Sequence, residues 1–233
     1  MRLGPHVHRI GNDIVAAYLI VTPEGITVVD AGLPGQWKDL LSELSSLGRR
    51  LADIKGLVLT HGDSDHLGFA ERLRRETGVP VYLHAADTAQ ARGGRKPGGK
   101  AGPMRPGPTL RFAAYGLRKR GFRTPKLAAS LEAADGDVLT LPGSPRVIGL
   151  PGHTPGSIAV YSPLADAVFV GDALTTRNVL TGRPGAALSP FTADREQALA
   201  SLDRISDLDA AWVLPGHGTP WHGPPADIVA AVQ

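Results

Sequence analysis

The segment Thr60-His61-Gly62-Asp63-Ser64-Asp65-His66-Leu67-Gly68 decides how the chain is read. Gly56-Leu57-Val58-Leu59 before it is a short apolar run of the kind that forms a buried strand, and a helical pattern begins near Phe69. Four metal-capable side chains therefore share one strand-to-helix turn. Alternate residues of an extended segment point the same way, so His61 and Asp63 can face one point. Asp65 and His66 lie at the helix entrance and can aim at a second point nearby. Imidazole with carboxylate is a donor set for Zn, Mn or Fe, whereas Ca prefers oxygen alone. Asp and Ser before a helix are also ordinary capping residues, so the segment takes its meaning from what recurs downstream.

Three further stretches repeat the arrangement: Pro151-Gly152-His153-Thr154-Pro155-Gly156-Ser157, Val170-Gly171-Asp172-Ala173 and Pro215-Gly216-His217-Gly218. Each follows an apolar run, and each puts a His or Asp where that run's strand would end. The pattern resembles the metallo-β-lactamase-fold metallohydrolase superfamily (glyoxalase II and lactonase-like members) over nearly the whole length. The usual motif of that superfamily is His-x-His-x-Asp-His, then a distant His, a bridging Asp and a last His. The order here is His61, Asp63, Asp65, His66, His153, Asp172 and His217, with Asp63 where most members carry a second His. Val28-Val29-Asp30-Ala31-Gly32 is similar to the strand-plus-Asp-Gly segment of the family, in which the Asp supports the metal loops. Asp30 would equally serve as a turn former before Gly32.

The resemblance implies a four-layer αβ/βα sandwich of two mixed sheets with helices on the outer faces; periodicity alone says only mixed α and β. It also implies two divalent metal ions, zinc by default. His61, Asp63 and His153 would hold one, Asp65, His66 and His217 the other, with Asp172 bridging. Water between such ions becomes acidic enough to act as a nucleophile near neutrality, and Asp65 is the expected catalytic group, orienting that water or carrying a proton. A carboxylate at Asp63 shifts preference toward Mn or Fe. It is similar to the diiron, oxygen-reducing branch of the superfamily, which has Glu there but also a flavodoxin domain for which this chain has no room.

Composition sets the remaining bounds. At 233 residues, with 42% hydrophobic and 20% charged residues, the chain fits one globular domain, 1–233. Without cysteine, thiolate zinc sites and cysteine nucleophiles are excluded, and no Gly-x-Ser-x-Gly elbow is present. Met1-Arg2-Leu3-Gly4-Pro5-His6 lacks the apolar run of a signal peptide, and no stretch is long enough to span a bilayer, so a cytoplasmic enzyme is expected.

Along the chain, 14–21 and 25–29 read as a hairpin, and Trp37, Leu40, Leu41, Leu44 and Leu47 fall at helical spacing. Residues 69–77 and 85–91 read as helices around a strand at 79–83, with His84 as a helix-start residue outside the ligand pattern. His6 and His8 are expected at the surface and His222 at the periphery. Residues 92–126 form a basic insertion with eleven Lys and Arg and no Asp or Glu, which exceeds the net charge of +3. Its first part is Gly-rich and loop-like; 109–120 reads as a helix. The insertion is read as a lid attracting an anionic small-molecule substrate, as a nucleic-acid patch, or as solvated surface, and the sparse aromatics of its helical part, Phe112 and Tyr115, disfavour nucleic acid. Met104, Leu110, Phe112 and Tyr115 from the insertion, with Arg177 and Asn178 from a later polar loop, are the expected substrate contacts. The function expected is hydrolysis of an ester, thioester or lactone; iron-dependent redox chemistry and nucleic-acid processing are the alternatives.

Overall fold

Strand alternation builds the whole architecture. The computed structural model describes residues 1–96 and 98–232. Val7–Gly11 (β1), Ala16–Thr22 (β2) and Gly25–Val29 (β3) form an antiparallel meander. Trp37–Ser46 (α1) crosses over to Ile54–Val58 (β4), which pairs parallel with β3. Ser64–Leu67 (α2) and Ala70–Thr77 (α3) follow, then Val81–Leu83 (β5), Ala85–Ala91 (α4), Pro106–Arg118 (α5) and Leu131–Glu132 (β6). Among the described residues β1 to β6 make one six-stranded sheet in sequence order.

The second sheet takes Arg146–Gly149 (β7), Ile158–Ser162 (β8) and Ala167–Gly171 (β9) as an antiparallel run. Thr175–Arg177 (β10) and Pro184–Ala187 (β11) form a separate hairpin where the sequence suggested only a polar loop. Arg195–Ser206 (α6) then returns the chain to Trp212–Pro215 (β12), parallel to β9, and Trp221–His222 (β13) and Pro225–Ala230 (α7) complete it.

Period-two alternation sends each strand's side chains to two different cores. In β2, Ala16, Tyr18 and Ile20 face the second sheet, where they meet Val147, Val160 and Phe169. Ala17 and Leu19 face the other way, onto Leu40 and Leu44 of α1 and Phe69 and Leu73 beside it. In β7 and β8, Val147, Ile158 and Val160 point inward, while Ile148, Ala159 and Tyr161 cover α6 through Ala198, Leu202 and Ile205. Helix, sheet, sheet, helix: this is the expected sandwich.

β1 is not apparent in the sequence, and it takes His8 away from the expected surface position. Its ring is buried in that strand, with Nδ1 2.7 Å from Glu43 of α1, and does not lie at the surface. His84 caps α4 by accepting from the Ala86 N–H. α5 starts three residues earlier than predicted, because Pro106 suits a first helical turn that lacks N–H partners anyway. No described helix is long and apolar enough to cross a membrane.

Tyr18 joins the sheets. Its ring lies 5.4 Å from that of Phe169, and its hydroxyl donates to the Pro215 carbonyl at 2.7 Å at the end of β12. Tyr18→Phe removes only that donor and leaves a buried carbonyl unpaired, so it should cost about 1–3 kcal/mol. A urea unfolding curve should show a lower midpoint with unchanged slope.

Candidate metal centre

Every candidate ligand sits just beyond the carboxyl end of a strand or at the start of α2. His61 and Asp63 follow β4, Asp65 and His66 belong to α2, His153 follows β7, Asp172 follows β9 and His217 follows β12. Tight loops hold them there. Gly68 lies so close to the Gly32 and Leu33 backbone that a β-carbon would overlap it, which lets α2 be laced to the β3 loop by Ala31 N–H to His66 O and Gly68 N–H to Gly32 O, both 2.8 Å. The His217 loop is fixed from the other sheet by Ala16 N–H to Gly216 O at 2.9 Å and by the Arg9 guanidinium on Gly218 O at 2.7 Å.

The side chains converge. Asp63 Oδ2 lies 3.1 Å from His153 Nε2 and 3.6 Å from His61 Nε2. Asp65 Oδ2 lies 3.5 Å from His217 Nε2. Asp172 stands between the groups, with Oδ1 3.3 Å from His66 Nε2, and Oδ2 3.2 Å from His217 Nε2 and 3.8 Å from His153 Nε2. Three sets have donor atoms mutually within 4.8 Å: His61, Asp63 and His153; Asp65, His66 and His217; His61, His66 and Asp172. Ligands about 2.1 Å from a tetrahedral ion lie about 3.4 Å apart, which is the spacing seen here.

Unpaired buried atoms give the stronger test of fit. His61 Nε2, His66 Nε2 and Asp172 Oδ1 are all buried without a hydrogen-bond partner, a costly state unless something else satisfies them. Each histidine meanwhile spends its other ring nitrogen on the protein. His66 Nδ1 meets Asp30 Oδ2 at 2.8 Å, His61 Nδ1 meets Thr60 Oγ1 at 3.0 Å, His153 Nδ1 meets Thr192 Oγ1 at 3.2 Å, and His217 Nδ1 meets the Ile14 carbonyl. Partners of this kind fix the ring and leave Nε2 free to bind a cation. The residues present fit divalent cations held by nitrogen and oxygen.

Asp30 proves to be both turn former and support. It adopts φ 60°, tolerated by Asp in the left-handed region, and its carboxylate accepts from Thr60 N–H at 2.8 Å, from Thr60 Oγ1 and from His66. Asp87 was missed. Fully buried in α4, it accepts from Gly62 N–H at 2.8 Å, Thr154 Oγ1 at 2.7 Å and Gly156 N–H at 2.9 Å, so one carboxylate clamps the His61 and His153 loops together. The signal was the pair of glycines: a β-carbon on Gly156 would stand 2.6 Å from Asp87 Oδ1. Ser189 Oγ on Asp172 at 2.7 Å, Gln90 Nε2 on Asp63 at 2.5 Å and Lys96 Nζ on Asp63 were likewise not foreseen.

A cavity of about 660 Å³ opens over Asp63, Asp65, Asp172 and His217. Of the six expected substrate contacts Phe112 lines it, and the other five are not among its lining residues. Met104 and Leu110 project into solvent. Tyr115 is packed under α5 with Ile14, Val15 and Leu33. Arg177 lies 3.3 Å from Asp13, and Asn178 Oδ1 accepts from the Leu180 and Thr181 N–H groups at 3.0 Å. Helix phase explains the split: Phe112 and Tyr115 are on the inner face of α5, Leu110 on the outer. Arg111 and Lys119 are occupied by Asp13 and Asp39.

The electrostatics follow from burial opposed by close partners. Burial alone would raise the Asp63 and Asp172 carboxyls, yet His153 and His61 around Asp63, and His217 and His66 around Asp172, hold both well below the usual range. Burial would lower His66, but Asp30 and Asp172 raise it well above an ordinary imidazole. His217 likewise rises to about 9, because Asp172 and Asp65 outweigh burial. His153 is lowered, burial prevailing over Asp63.

The sequence model of the Metallo-beta-lactamase superfamily matches residues 10–217. The chain is 27% identical over 239 residues to the probable metallo-hydrolase YflN of Bacillus subtilis (93% of this chain, 85% of YflN). It is 32% identical over 132 residues to a hydroxyacylglutathione hydrolase of Cereibacter sphaeroides, covering 56% of this chain and 38% of that enzyme. The crystal structure of TTHA1623 in a di-iron-bound form superposes with a TM-score of 0.61 at 29% identity, covering 95% and 93% of the two chains. The chain belongs to the metallo-beta-lactamase superfamily.

Raised imidazole values give the metal-stripped protein a defined pH dependence. Protonated His66 and His217 stabilise the fold fully below the unfolded imidazole value of about 6.5, and that contribution is lost as pH rises through their folded values, about 9 for His217. Thermal melts in chelator should therefore fall steadily between these limits, and His217→Gln should flatten the decline. Cation affinity should rise over the same window, since binding needs both Nε2 atoms deprotonated.

Proposed function

We propose that this member of the superfamily is a hydrolase that uses two divalent cations to cleave an ester, thioester or lactone bond in a small molecule. The observation that carries the reading is the convergence of seven side chains on buried, unpaired Nε2 and carboxylate atoms at the floor of a cavity. His61, Asp63 and His153 would hold one cation and Asp65, His66 and His217 the other, with Asp172 facing both. When bound, such ions acidify water and polarise a carbonyl oxygen.

The chain's own residues supply orientation and proton handling. Asp65 is the most exposed of the seven, its side chain 20% exposed, so its carboxylate is the one a water or leaving group can reach. It accepts a proton from the attacking water and returns it to the leaving oxygen or sulfur. Asp30, Thr60 and Asp87 keep the ring nitrogens aimed without entering the reaction. Leu33, Leu67, Phe112, Phe122 and Val179 give the cavity apolar walls, while Lys96 and Lys126 add positive charge. A substrate with an apolar body and an anionic group suits that lining. The relation to a hydroxyacylglutathione hydrolase supports a thioester among the candidates.

Zinc is the default cation. The di-iron form of TTHA1623 and the carboxylate at Asp63 support iron as the second reading, since a harder, anionic ligand favours Mn or Fe over Zn. Metal analysis of the purified protein distinguishes the two.

A panel of lactones, glutathione thioesters and aryl esters, run on metal-stripped protein reloaded with Zn, Mn or Fe, tests the proposal. Turnover should appear on reloading, and Asp65→Asn should lower kcat by roughly 10²–10⁴-fold. Reloaded protein that is inert on every member of the panel would remove the hydrolase reading.

A further inference from the structure

Asp63 carries a negative charge where most of the superfamily has a neutral ring, and one short segment of the chain answers that charge. Gln90 Nε2 donates to Oδ1 at 2.5 Å, and Lys96 Nζ pairs with Oδ2. Oδ2 is the oxygen that also faces His153 Nε2 at 3.1 Å and His61 Nε2 at 3.6 Å. The ammonium and a cation held by those three residues would thus share one carboxylate oxygen. Two positive centres on one oxygen lie within about 4 Å of each other, where their repulsion is only partly screened. The screening is incomplete because the Asp63 side chain is 11% exposed and that of Lys96 34%.

We propose that Lys96 sets the affinity of the first cation position (His61, Asp63, His153) by competing for Asp63, and that cation binding there releases the loop carrying Lys96. The inference rests on the two cation positions assigned above. Among the described residues Lys96 makes no hydrogen bond or ion pair with Asp65, His66 or His217, so the second position serves as an internal control. A β-carbon at Gly98 or Gly102 would meet nothing within 4 Å, so the backbone there has room to shift, whereas Gly93, Gly94 and Gly99 pack against Lys126, Ala89 and Phe191. The loop's ties to the body include the Asp63 pair, the ammonium 5.7 Å from the Phe191 ring centre, and Phe191 N–H to Lys100 O at 3.2 Å. Linkage makes the effect reciprocal: whatever the cation loses to Lys96, the loop loses to the cation.

Calorimetric titration of metal-stripped wild type, K96M and K96R with Zn²⁺ alone tests this without any substrate. In K96M one of two equivalents should bind roughly ten-fold tighter or more, the other should be unchanged, and K96R should behave as wild type. H153A should abolish the K96M-sensitive equivalent. Trypsin should cut the wild-type loop at Arg95 and Lys100 faster once Zn²⁺ is added, while K96M should be cut at one rate with or without it. Weaker binding of that equivalent in K96M, or two unchanged equivalents, would overturn the proposal and leave the metal centre standing. A wild-type protein that binds no Zn²⁺, Mn²⁺ or Fe²⁺ would overturn the metal centre and this inference together.

Discussion

Polar atoms that the protein buries and does not satisfy from within govern this structure. His61 Nε2, His66 Nε2 and Asp172 Oδ1 face one another across a few ångströms, with Asp63, Asp65, His153 and His217 around them. Leaving such groups unpaired is costly, and the surrounding chain is arranged to keep them so. Asp30 and Asp87 are the two keystones. One adopts a left-handed backbone to hold His66 and Thr60, and the other clamps two glycine loops that carry ligands from different sheets. Burial and close opposing charges then push the carboxyls down and His66 and His217 up. That polarised cluster holds its donor atoms in place at the floor of the cavity before any cation arrives.

Much of this was legible in the sequence because the ligands follow apolar runs, and an apolar run ending in His or Asp needs no tertiary information to be noticed. The seven candidates at His61, Asp63, Asp65, His66, His153, Asp172 and His217 are brought together as the pattern suggested. The sandwich itself came from resemblance, since alternation in β2 shows two buried faces but not what covers them. What stayed hidden depended on long-range partners. β1 interrupts its apolar residues with His8 and Arg9, so it does not stand out as an apolar run, and His8 is expected at the surface. Asp87 sits in an unremarkable helix, and only the folded chain brings it to Gly62 and Gly156.

The insertion was the least readable part. Composition revealed its charge but not how that charge is used. Arg111 and Lys119 pair with surface carboxylates, and Lys96 alone among these three enters the ligand cluster. Side-chain roles along α5 hinge on helix phase: a shift of one or two positions separates Phe112 in the cavity wall from Leu110 in solvent. No amphipathic pattern in a stretch so rich in Gly and Arg specifies that phase.

The division of ligands between the sheets has a consequence for biosynthesis. His61, Asp63, Asp65 and His66 come from the first sheet, and His153, Asp172 and His217 from the second. A nascent chain that has completed only its first sheet holds neither trio whole. The second trio closes only once His217, after β12 of the second sheet, has been added. The full ligand cluster therefore forms only after both sheets have been made, and a cation held by either trio would tie a loop of the first sheet to a loop of the second.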